Sequence, residues 1–138
     1  MPVLSSARPA PPPHRRLSAA LAELHRILLN AQAAGSPVAS NPYALLQAVM
    51  HDPAFAWLRG FSNLMLRIDE AGAQGATPSP EAMQGFLAEA VHLVEGGGDA
   101  AAQETHARLQ VFMLRPEVAA KVAALRGTIT ALRQTLAQ

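Results

Sequence analysis

Glu89 and His92 stand three residues apart, the spacing that turns a carboxylate and an imidazole to one face of a helix. In carboxylate-bridged di-metal bundles, two such pairs and two further glutamates project into one interior. This chain carries a single pair. Glu104 with His106, and Glu23 with His25, are only two residues apart, which sends the partners to different helical faces. A bundle binding a ligand, metal or haem through Glu89 and His92 is therefore the alternative reading. The plainer one is a surface ion pair or hydrogen bond, and no cofactor is expected.

His51 beside Asp52 has the form of a catalytic dyad. No serine sits in a nucleophile turn, however, and the chain has no cysteine. Asp52 also precedes Pro53, where a carboxylate serves as a helix cap. No set of acid, base and nucleophile survives the spacing test, so an enzyme is not expected. The Gly96-Gly97-Gly98 run lacks the lysine and spacing of a phosphate loop and reads as a hairpin turn.

Arg59, Asn63 and Arg67 recur at i, i+4 and i+8, with Glu70 three residues further on. Together with the lone tryptophan they make Trp57, Arg59, Asn63 and Arg67 the candidate partner- or ligand-binding residues, because indole and guanidinium groups anchor interfaces. The plainer reading is an exposed polar ladder closed by an Arg67–Glu70 pair. A DNA-reading helix-turn-helix over 42–70 would carry two arginines against three acids, the reverse of what phosphate affinity needs. With a net charge of +1, no nucleic-acid partner is expected.

The elements that would position these groups follow from composition and punctuation. The 138 residues suit one domain, and the absence of cysteine excludes a disulfide scaffold, a thiolate metal site and a thiol enzyme. Half of the chain is hydrophobic, only 15% is charged, and 29 residues are alanine, which favours helix and leaves few charges for the surface. β-Branched residues are sparse and no stretch alternates with period two, so no sheet is expected. Residues 1–14 hold five of the eleven prolines and read as a disordered tail, with Pro9 and Pro12 forming a PxxP. Neither a secretory signal nor a membrane span is recognisable, and the expected location is cytoplasmic.

Over 15–138 the spacing predicts a single all-α domain, a compact bundle of five to six helices. It has four main layers, a short connector helix and a C-terminal arm kinked at Pro116. The helices cover about 15–34, 42–50, 53–73, 80–95, 99–114 and 116–136, with the third, broad-faced one at the centre. Asn41-Pro42, Asp52-Pro53 and Ser79-Pro80 each set an N-cap before a proline at the first helical position, and Asp99 is a further cap. Leu17, Leu21, Leu24, Leu28 and Ala31 form a narrow seam, as do Val118, Val122, Leu125, Ile129, Leu132 and Leu136. The second seam either packs inside its own bundle or pairs with another helix. Residues 71–104 carry five acids and no base, while 105–138 carry five bases and one acid, so antiparallel packing brings opposite charges together. The expected function is that of a small non-catalytic interaction or regulatory protein. Its partner would be itself, as a homodimer, or another helical protein.

Overall fold

Proline sets where most of the helices begin. In the structure, a computed structural model that describes residues 11–138, Pro13, Pro42, Pro80 and Pro116 each stand in the opening turn of a helix. The missing proline N–H costs nothing there, since the first amides have no partner within the helix. The elements are α1 (Pro13–Ala33), α2 (Pro42–His51), α3 (Arg59–Ala71), α4 (Pro80–Glu95), α5 (Ala100–Phe112) and α6 (Pro116–Ala137). No strand occurs among the described residues, and the fold is an all-α compact bundle. No helix among them is long and apolar enough to cross a membrane.

The caps are built as their residue types require. Asn41 Oδ1 accepts from the amides of Tyr43 (3.0 Å) and Ala44 (3.2 Å), Ser79 Oγ from Ala82 (3.1 Å), and Asp99 Oδ1 from Ala102 (2.8 Å). Each satisfies an orphan N–H and contributes about 1 kcal/mol. Between α4 and α5, Gly96, Gly97 and Gly98 all take positive φ (100°, 100° and 75°), a run that side chains would strain.

Three boundaries differ from the sequence reading. The helix begins at Pro13, so Pro13 and His14, assigned to the tail, belong to α1. His14 is buried at 6% exposure, with its ring against Gly72 at the end of α3. Residues 1–10, including the Pro9 half of the PxxP, lie outside the described residues. The helix expected over 53–73 is two pieces, a 3-10 segment at Pro53–Leu58 followed by α3. Three residues per turn eclipse i and i+3, which aligns Phe55 and Leu58 on the core, where Phe61 from the first turn of α3 joins them, and Trp57 in the same tight segment is also buried. The expected kink at Pro116 is a break at 113–115. Arg115 is extended (φ −81°, ψ 123°), as the residue before a proline prefers. The two sides of that break then serve different layers, α5 against α4 and the 53–58 segment, α6 against α1 and α4.

The central helix is α1 rather than α3. Leu17, Leu21, Leu24 and Leu28 are fully buried, and α1 packs on α6, α3, α4 and the 53–58 segment. Burial of each such leucine contributes about 1.5–3 kcal/mol. α1 and α3 run antiparallel, since Ser18 donates to Asp69 (3.0 Å) at one end and Trp57 to Gln32 (3.0 Å) at the other. α4 and α6 are also antiparallel: Glu95 pairs with Arg126, while Gln84 and Ala88 meet Arg133 and Leu136. Acidic α4 therefore does face basic α6. Glu23 bridges to Lys121 (3.0 Å), and Lys121 first, then Arg26, hold its carboxyl below the ordinary value. Such exposed pairs orient helices more than they stabilise them.

Candidate functional site

α3 turns Arg59, Asn63 and Arg67 outward because its inward positions are taken by Phe61, Leu64 and Ile68. α4 approaches from one side with Glu89, His92 and Leu93, and the first turns of α5 close the far side with Asp99, Ala102, Glu104 and Thr105. Between them lies a groove of about 440 Å³. All four candidates, Trp57, Arg59, Asn63 and Arg67, line it.

Their roles are unequal. Trp57 is a buried wall residue and not an anchor offered to a partner. Its indole N–H donates to Gln32 Oε1 (3.0 Å), and its ring stacks on Phe112 with centroids 5.6 Å apart. Arg59 reaches back to the last turn of α2 and donates from Nη2 to the Met50 carbonyl (2.9 Å), a group with no partner within the helix. Arg67 does not close on Glu70. Its Nη1 and Nη2 donate to Glu89 Oε2 (2.9 Å) and Oε1 (2.5 Å), a bidentate fork across α3 and α4. Hydrogen bonding to that carboxylate raises the guanidinium pKa above its ordinary value. Asn63 is exposed in the middle of the groove.

The same fork engages the carboxylate of the Glu89–His92 pair. His92 lies over the glycine turn: a Cβ on Gly98 would stand 2.9 Å from its Nδ1 and one on Gly97 3.2 Å from its Cδ2. Among the described residues, no three His, Asp or Glu side chains come together as a metal set. His51 is exposed at the end of α2, and Asp52 Oδ1 accepts from the Ala54 amide (2.9 Å), a capping task.

The α6 seam faces inward. Val118, Val122, Leu125, Ile129 and Leu132 are buried against α1 and α4, and Leu136 is half-buried at the end, so this face is not open to a second chain. An open apolar face belongs to α2, the connector of the sequence reading, while Leu66, Val111 and Leu114 are exposed elsewhere. Tyr43, Leu46 and Met50, at i, i+3 and i+7, are 72%, 54% and 53% exposed, while Leu45, Ala48 and Val49 pack inward. A signal for it was present in the sequence. From Ile27 to His51, 25 residues pass without one Asp, Glu, Lys or Arg, whereas a solvated helix face ordinarily carries charge. No protein family, curated protein or solved structure matches the chain.

Proposed function

We propose that this is a non-catalytic helical interaction protein that pairs with a second copy of itself through α2. The observation that carries the reading is the exposed Tyr43–Leu46–Met50 stripe inside a 25-residue stretch free of charge. A second copy fits that face because the stripe itself, between Tyr43 and Met50, brings no charge that the other must neutralise. A two-fold axis near Leu46 sets Tyr43 of each copy beside Met50 of the other, the self-complementary form of a symmetric dimer. The antiparallel arrangement also opposes the two helix dipoles, with Asp52 brought toward the partner helix's N-terminus. The non-catalytic part is supported by the work already done by the polar candidates: Asp52 caps, and Glu89 is forked to Arg67.

The stripe exposes apolar surface on the order of 300 Å², the size of the largest patch on a typical monomer, which is often functional. A standard interface covers about 800 Å² per partner, so this dimer belongs to the weak class, with a Kd of roughly 10–100 μM. Sedimentation and light scattering between about 1 μM and 1 mM, the span bracketing that Kd, test it. The wild type shifts from monomer to dimer, and Leu46→Glu stays monomeric with its helicity and Tm retained. Ile129→Asp, in the buried α6 seam, instead loses the fold. A wild type that stays monomeric throughout, or a Leu46→Glu variant that still dimerises, overturns the reading.

A further inference from the structure

The groove between α3, α4 and α5 takes no part in that pairing, and its chemistry is different. Its volume of about 440 Å³ falls within the range of small-molecule sites. Leu64, Leu93 and Trp57 supply apolar wall. Of the charges that line it, Arg67 and Glu89 neutralise each other through their fork. That leaves Arg59 on the α3 side, beside the neutral amide of Asn63, with Asp99 and Glu104 at the start of α5 and the His92 imidazole on α4. Arg59 engages only Nη2, on the Met50 carbonyl, and keeps further N–H donors. Asn63 adds an amide with both donor and acceptor. Asp99 gives Oδ1 to its cap and keeps Oδ2, and Glu104 makes no hydrogen bond or ion pair with another described side chain.

We infer that the groove is a binding site for a small zwitterion of the amino-acid class, its carboxylate on Arg59 and Asn63, its ammonium toward Glu104 and Asp99, and an apolar side chain over Leu64 and Leu93. A simple carboxylate in the same place meets two uncompensated acids. A simple amine meets Arg59. A molecule carrying both charges satisfies both walls, and the apolar residues between them favour a hydrophobic body over a second polar group.

The chain has one tryptophan, and it lines the groove, so selective excitation of Trp57 reports on occupancy. The probes are L-phenylalanine and L-leucine, with 3-phenylpropionate, which lacks the ammonium, and phenethylamine, which lacks the carboxylate. The two amino acids give a saturable change in Trp57 emission below about 10 mM, and each single-charge probe binds about fivefold more weakly, the upper end of what one exposed charge contact supplies. Asn63→Ala and Glu104→Gln, both at exposed positions, each weaken phenylalanine about fivefold or more without lowering Tm. Equal binding of 3-phenylpropionate overturns the zwitterion in favour of an anion site, and equal binding of phenethylamine in favour of a cation site. No saturation by either amino acid, or undiminished binding in both variants, overturns the site itself. Self-association is read from sedimentation, so it stands or falls separately.

Discussion

Replacing Gly60 by alanine tests how closely α3 and α5 approach, and with it the shape of the groove. A Cβ built on Gly60 stands 2.8 Å from Thr105 Oγ1 and 3.1 Å from Leu93 Cδ2. Thr105 cannot swing aside: it is 3% exposed, and its hydroxyl is held by the carbonyls of Trp57 (3.0 Å) and Ala101 (3.1 Å). Leu93 is likewise buried. On an open helix surface the exchange of glycine for alanine stabilises by about 1 kcal/mol. Here overpacking opposes it by about 1–3 kcal/mol, and the first turn of α3 gives the low end of the helix gain. The net expectation is a loss of about 1–2 kcal/mol, a fall in Tm of roughly 3–8 °C for a chain of this size.

Thermal and urea unfolding followed by circular dichroism measure it, and a second variant locates the cause. Thr105→Ala removes the Oγ1 that makes the closest approach, at its own cost of about 1 kcal/mol for the lost hydrogen bond. In that background Gly60→Ala costs no more than about half as much, an interaction energy near 1 kcal/mol. A Gly60→Ala protein at least as stable as wild type refutes the close approach. Strict additivity of the two changes refutes Thr105 as its cause.

Two further perturbations address α1. A Cβ on Gly72 would lie 2.5 Å from the His14 ring, so Gly72→Ala expels that buried imidazole at a cost of about 1–2 kcal/mol. Its φ of −101° suits alanine, so in a His14→Ala background the same change becomes neutral or stabilising; urea denaturation that shows no change of sign rejects the contact. Desolvation holds the His25 pKa below 6.5. The unfolded chain therefore binds more protons than the folded one, so stability is full above pH 6.5 and falls as pH drops through and below it. Tm measured from about pH 7.5 down to 5 declines less in His25→Gln than in wild type, and parallel curves for the two proteins exclude the effect.

What the sequence makes legible is whatever neighbouring residues decide. Asn41, Ser79 and Asp99 act as caps because a side-chain oxygen two or three residues ahead of a free amide needs nothing distant to bond it. The α1 and α6 seams follow equally directly from steps of three and four. Which helix faces which is a different kind of information. Arg67 has an acid three residues away on its own helix, yet Glu89 on α4 takes it, because a carboxylate from a packed neighbour can meet both guanidinium ends. The 53–58 segment winds more tightly than its periodicity suggests because Trp57 must also be buried, against Gln32 and Phe112, which lie far away in sequence. For α2 the pattern was present, but its sense depends on which side the core lies.

The low overall charge has a spatial meaning in this fold. Charges gather where helices meet, at Glu95–Arg126, Glu23–Lys121 and Arg67–Glu89, and none falls on the stretch that forms α2. Among the described residues, Arg59 is the guanidinium placed between the two regions, lining the groove while holding the Met50 carbonyl at the end of the exposed stripe. Truncating it would remove a groove donor and also release a carbonyl of the last turn of α2, so the tilt of Tyr43, Leu46 and Met50 would change along with any ligand site. A variant there that lost both pairing and binding would say nothing about either surface alone. Leu46 on α2, and Asn63 and Glu104 in the groove, each touch one surface and leave the other as built, and they separate the readings where Arg59 would merge them.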